Sequence, residues 1–232
     1  MAFSTIELGS QFDFGILGTD SDTLIFSSLP TDQADSLSGS PGLDAIVALD
    51  GNDLITNDNT GRILFGNAGN DTLNGGDAED TIAAGRDNDS IFGSLGNDIL
   101  FGNLGDDTLE GGDGADWLFG GQDNDSLLGN DGNDTLSGDR GNDILQGGAG
   151  EDVLTGGDGA DRFDFAPGAG TLNVITDFQD GTDVIGLVGD LKNISFGQED
   201  GNAVAILENQ VRVVLLGIAP SQLDIFDFTR AG

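Results

Sequence analysis

The stretch Gly102–Leu128, GNLGDDTLEGGDGADWLFGGQDNDSLL, decides how the rest of the chain is read. Cut every nine residues it becomes GNLGDDTLE, GGDGADWLF and GGQDNDSLL, three versions of one unit. Glycine, asparagine and aspartate crowd the first six places, and an apolar residue holds the eighth. The same frame runs without insertion or deletion from Pro30 to Asp164, fifteen units in succession. Position 8 is Leu, Ile or Phe in every unit, and position 6 is Asp in all but one, where Arg62 stands. Such register is the mark of a repeat architecture.

Composition gains meaning against that frame. The 232 residues carry 42 acidic and 7 basic side chains, a formal charge of -35, with 40 Gly and no His or Cys. Acidic, glycine-rich chains are often disordered, but 37% of this one is hydrophobic and the apolar residues keep phase. The charge excludes nucleic acid and anionic membrane surfaces as partners, since both would be repelled, and it suits a cation. Without Cys there are no disulfides, and without His or Cys there is no Ser-His or Cys-His dyad. No phosphate-binding GxxxxGK[ST] motif occurs, so no catalytic residues are expected. The N-terminus, MAFSTIELGSQFDFGILG, lacks a basic leader segment and an uninterrupted apolar run, so a cleavable signal is not expected there. No apolar run is long enough to suggest a membrane-spanning helix.

One unit contains its own structural plan. Positions 1 to 5 hold residues that tolerate positive φ and tight turns, and positions 7 to 9 read x-apolar-x, a three-residue strand with one side chain inward. A single unit buries nothing, so units must stack. Two of them make one coil of strand, turn, strand, turn, with the position-8 side chains meeting inside. The expected fold is all-β, a parallel β-roll or β-solenoid of 18-residue coils. At about 4.8 Å per coil the 15 units rise roughly 36 Å.

The pattern G-G-x-G-x-D-x-U-x resembles the repeats-in-toxin (RTX, haemolysin-type) nonapeptide, carried here by GNAGNDTLN at Gly66–Asn74, GGDGADWLF at Gly111–Phe119 and GGAGEDVLT at Gly147–Thr155. The resemblance implies Ca²⁺ bound between adjacent turns by the position-6 aspartates and main-chain carbonyls of the glycine-rich turns. In the coil plan these aspartates form two columns. One is Asp35, Asp53, Asp71, Asp89, Asp107, Asp125, Asp143 and Asp161; the other is Asp44, Asp80, Asp98, Asp116, Asp134 and Asp152, interrupted by Arg62. Neighbouring carboxylates about 4.8 Å apart repel by roughly 1 kcal/mol in water and more inside a protein. All-oxygen ligands on flexible turns then favour Ca²⁺ over the more exacting Mg²⁺. Roughly 8–11 ions are expected. The 15 units hold 29 acidic and 4 basic residues, so about eleven divalent ions would nearly neutralise them. Position-3 carboxylates (Asp32, Asp50, Asp77, Asp113, Asp131, Asp158) read as exposed turn residues, and Asp87 and Asp123 at position 4 as left-handed turn formers.

Residues 1–29 are expected to cap the N-terminal end. There LGTDSDTLI at Leu17–Ile25 fits the unit out of frame as an irregular extra coil, with Leu24 at position 8, and Phe3, Phe12 and Phe14 cover the open core. Residues 30–164 are the roll. Residues 165–232 lose the period and become a β-rich C-terminal cap. There GADRFDF and ITDFQDGTDVIGL resemble the sequence that closes many RTX modules. The resemblance further implies type I secretion with a C-terminal signal, for which QLDIFDFTRAG is the candidate, and hence a secreted, extracellular or cell-surface protein of a Gram-negative-type bacterium.

Outward residues at positions 7 and 9 sort by face. One face is mostly polar. The other has no charge and carries Ile63, Phe65, Ile99, Phe101, Trp117 and Phe119. Either a terminal segment folds over this surface, or it is an interaction face for a second copy or another cell-surface protein. The function expected is a calcium-folded structural or interaction module and not an enzyme. The alternatives are an accessory export or folding module for a partner enzyme, or an ice-binding protein, which the absence of a regular Thr ladder disfavours.

Overall fold

The computed structural model describes residues 24–26, 34, 36–38, 45–57, 60–166, 169–170, 172–188, 195–207, 211–223 and 227–231. Asp35, Asp44, Phe3, Phe12 and Phe14 lie outside them. Every named element is a strand. In chain order the roll is built from β1 (Leu24–Phe26), β2 (Ser36–Ser38), β3 (Ala45–Val47), β4 (Leu54–Thr56), β5 (Ile63–Ala68), β6 (Thr72–Gly76), β7 (Thr81–Arg86) and β8 (Ser90–Leu95). It continues through β9 (Ile99–Leu104), β10 (Thr108–Asp113), β11 (Trp117–Gln122), β12 (Ser126–Asp131), β13 (Thr135–Arg140), β14 (Ile144–Ala149), β15 (Val153–Asp158) and β16 (Arg162–Phe165).

Odd-numbered strands stack in parallel in one sheet and even-numbered strands in the other. Register advances by two nonapeptide units per coil, as in Trp117 opposite Ile99 and Thr135. The chain is therefore a parallel β-roll. Leu64, Leu73, Ile82, Ile91, Leu100, Leu109, Leu118 and their equivalents through Phe163 are buried, so the position-8 residues form the core.

The strands are longer than the three residues that the pattern x-apolar-x predicts. From β5 onward most run for six, through positions 7–9 and on into 1–3, with alternating burial such as that of β11, where Leu118 and Gly120 point inward. Position 1 thus faces the core side, and position 2 takes up the left-handed turn. Asn67, Asn103 and Asp139 have φ of 79°, 80° and 71° there, alternating with Gly85, Gly121 and Gly157. Asp87 and Asp123 also sit at positive φ, 73° and 76°. At the N-terminal end β1 pairs with β3 so that Ile25, not Leu24, lies opposite the position-8 residue Ile46. That coil is therefore shifted by one residue from the frame expected for Leu17–Ile25.

After β16 the roll continues through β17 (Leu172–Ile175) and β18 (Val184–Val188), each parallel to the strand below. The chain then turns into an antiparallel meander of β19 (Ser195–Glu199), β20 (Asn202–Ile206) and β21 (Arg212–Leu215), joined to β17 through β21. The final strand, β22 (Phe228–Ala231), lies beside β18. Phe163, Phe165, Phe178, Ile175, Ile185, Val213 and Leu215 close the apolar end of the core. These C-terminal strands extend the two sheets end-on. They do not fold over the face that carries Trp117.

Candidate calcium sites

The position-6 side chains are the most unusual feature of the core. Asp71, Asp89, Asp98, Asp107, Asp116, Asp125, Asp134, Asp143, Asp152 and Asp161 are buried, as are Asp53 and Asp80. Each Oδ1 along the columns accepts a hydrogen bond from the backbone N–H of the position-6 residue one coil earlier. Examples are Asp71 N–H to Asp89 Oδ1 at 2.7 Å and Asp107 N–H to Asp125 Oδ1 at 2.8 Å. The ladder is continuous from Asp53 to Asp161 in one column and from Arg62 to Asp152 in the other. Arg62 is itself buried and keeps the ladder, donating its N–H to Asp80 Oδ1 at 2.6 Å.

The second carboxylate oxygen is different. Oδ2 of Asp71, Asp89, Asp98, Asp107, Asp116, Asp125, Asp134, Asp143, Asp152 and Asp161 is buried with no hydrogen-bond partner. A charged oxygen out of water without a partner costs several kcal/mol, and ten in register call for a common ligand. Nine of the ten point at the bare Cα of the position-1 glycine of their own unit, the exception being Asp89, whose unit begins with Ala84; at several of these glycines a main-chain carbonyl from the next coil also arrives. At Gly75 an added Cβ would meet Asp80 Oδ2 and the Gly93 carbonyl oxygen, both at 2.8 Å. At Gly102 it would meet Asp107 Oδ2 and the Gly120 carbonyl oxygen, the latter at 2.7 Å. Position 1 is glycine in these units because that space belongs to oxygens.

Among the described residues no three acidic side chains converge to hold an ion by themselves. Main-chain carbonyls must complete any site, which is the oxygen-only donor set of a hard cation such as Ca²⁺. The residues present fit such an ion: orphaned carboxylate oxygens, converging carbonyls and a glycine cradle. When bound, calcium would supply the positive charge that the columns lack.

Electrostatics agree with this. Burial pushes Asp89 and Asp125 from an ordinary 3.8 up to about 8, helped by the neighbouring carboxylates of the column and opposed by the ladder hydrogen bond. Asp98 and Asp134 rise to about 7, and Asp71, Asp107, Asp143 and Asp152 to about 6, in each case chiefly through desolvation. Without a cation these groups hold their protons to higher pH than an ordinary carboxyl does.

A second ladder escaped the sequence reading. Position-5 side chains accept N–H groups in the opposite sense, from the following coil. Asn70 N–H donates to Asn52 Oδ1, and Asn70, Asn88, Asp106, Asn124 and Asn142 continue that chain to the N–H of Ala160. The recurrence of Asn at this position was the available signal. Its mechanism needs the coil geometry, because only stacking places an amide oxygen over an N–H two units further along the chain. The position-3 residues Asp50, Asp77, Asp113, Asp131 and Asp158 are exposed.

Residues 31–59, 63–91, 74–109, 92–127, 110–145, 128–163 and 137–172 match the RTX calcium-binding nonapeptide repeat (4 copies). The chain belongs to this family and is a calcium-binding β-roll. No match is found among curated proteins. Among solved structures, the chain is similar to the AlgE6R3 subunit of the Azotobacter vinelandii mannuronan C5-epimerase, with 29% identity over 50% of this chain and 78% of that one and a TM-score of 0.42. It is also similar to extracellular lipase LipA from Serratia marcescens, with 17% identity over 78% of this chain and a TM-score of 0.39. It spans 45% of that lipase.

Proposed function

We propose that this chain is a secreted module that folds on calcium and acts as an extracellular structural or interaction element. The observation that carries the reading is the run of ten buried, partnerless Oδ2 atoms, nine of them facing a glycine cradle. In this reading the ligands are Asp53, Asp71, Asp80, Asp89, Asp98, Asp107, Asp116, Asp125, Asp134, Asp143, Asp152 and Asp161 with turn carbonyls. Asp35 and Asp44 extend the columns outside the described residues. Residues 30–164 bind the ions, 165–232 cap the roll and carry the export signal, and 1–29 cover the other end. Low cytoplasmic calcium keeps the chain unfolded for export, and abundant calcium outside folds it.

The interaction face of the module is the outer surface of the odd-numbered strands. Trp117 is 54% exposed, Ile63, Phe65 and Ile99 are exposed, and Phe101 stacks on Phe119 with ring centroids 5.1 Å apart. Positions 7 and 9 of these strands carry no charge, and that strip supports self-association, since two acidic chains can meet there without opposing carboxylates. Light scattering of the full chain with calcium and with chelator tests both parts. A folded dimer or larger assembly in calcium and an expanded monomer in chelator is the expected result. A compact fold that persists in chelator at low ionic strength and neutral pH would refute the calcium-folding reading, and a strictly monomeric calcium form would refute self-association.

A further inference from the structure

The Asp ladder does not stop where the nonapeptides do. At the end of one column, Asp161 N–H donates to Asp183 Oδ1 at 3.0 Å, the same bond that the position-6 residues below it make to their successors, although the sequence separation is four longer. Asp183 is buried and its other oxygen accepts Gln179 N–H at 2.8 Å. Beside it, the carboxylate of Asp177 accepts the N–H groups of Gly156 and Gly157 at 2.9 and 2.8 Å, where β15 has run out of partner strand. Gly156 is the position-1 glycine that cradles Asp161 Oδ2, and that oxygen is buried without a partner. Asp183 and Asp177 thus both accept backbone N–H groups at the seam between roll and cap, beside the partnerless Asp161 Oδ2.

The other column ends differently. Asp152 N–H donates to Asn173 Oδ1 at 3.3 Å, so a neutral amide stands where a carboxylate would otherwise follow.

We propose that Asp183, with Asp177, makes the gap beyond Asp161 one further calcium site, outside the nonapeptide repeats, and that Asn173 ends the opposite column without one. The inference rests on the reading that position-6 aspartates hold the ions. It makes the cap a participant in calcium binding on one edge only. Asp183 is the position-6 residue of a coil whose turn is lengthened by four, which hides it from the nine-residue frame.

Native mass spectrometry of the calcium-saturated full chain counts the ions. Asp183→Asn is expected to bind one ion fewer than the parent, and Asn173→Asp one more. Asp180→Asn, an exposed neighbour in the same loop, is expected to leave the count unchanged. An unaltered count in folded Asp183→Asn overturns the proposal. Should that variant fail to fold, an unaltered count in folded Asn173→Asp overturns it instead. Asp125→Asn in mid-column separates the two levels of argument. If it loses one ion while Asp183→Asn loses none, only the seam site fails; if neither loses one, the reading of the whole column fails with it.

Discussion

At Asp107 one side chain serves two coils. Its Oδ1 accepts the Asp89 N–H at 2.8 Å, and its Oδ2, buried and partnerless, looks across Gly102 toward the Gly120 carbonyl. The two tasks separate by substitution. Asp107→Asn keeps an acceptor for Asp89 but removes the charge, so it is expected to cost calcium affinity without destabilising the metal-free chain; calorimetric titration and melts in chelator measure the two effects. Gly102→Ala acts from the other side. Its Cβ would overlap Asp107 Oδ2 and lie 2.7 Å from the Gly120 carbonyl oxygen, so thermal melts in calcium should show a fall in Tm. Leu118 lies wholly inside, and Leu118→Ala should cost about 2–5 kcal/mol of calcium-bound stability by denaturant titration, through lost burial and the cavity left behind.

At the scale of a strand or a column, the controlling quantity is charge. The buried aspartates are raised from 3.8 to about 6 through 8, mainly by desolvation. A folded chain without metal therefore binds more protons than the unfolded chain between about pH 4 and pH 8. Its stability must fall as pH rises through that window. Circular dichroism in chelator is expected to show more β signal at pH 5 than at pH 8, and the order should reverse in excess calcium, because protons compete with the ion for the same oxygens. The outer face of the odd-numbered strands follows a separate rule. Trp117 and Phe119 pack beside one another at the surface, 6.3 Å between rings, and contribute nothing to the interior. Replacing both by Ser should leave the calcium-dependent fold intact and abolish association in light scattering.

For the molecule as a whole, one-dimensional stacking makes each coil depend on its neighbours. Folding by calcium should be steeply cooperative in a titration followed by circular dichroism, because an ion between two coils orders both. The cap is held by other means. Its antiparallel strands bury Ala203, Ala205, Val213 and Leu215, so it covers the apolar end of the roll without relying on the columns alone.

The repeat, the parallel roll, the position-8 core and the two Asp columns could all be read from residues alone, because a nine-residue period converts a long-range arrangement into a local pattern. Any residue that keeps the frame, such as Leu118 or Asp107, has its place determined by its index. Tertiary structure decided what the period does not encode. Strands run six residues, not three, because position 1 faces inward and can be only as large as the oxygens beside it allow. The Asn ladder at position 5 works only between stacked coils. Asp177, Asp183 and Asn173 finish the columns from outside the frame, through contacts longer in sequence than one regular coil. The pairing of β19 to β22 depends on which edges the last coil leaves open. A repeating sequence determines its own repetition, and where it ends, the partners are set by the edges and N–H groups left unsatisfied in space.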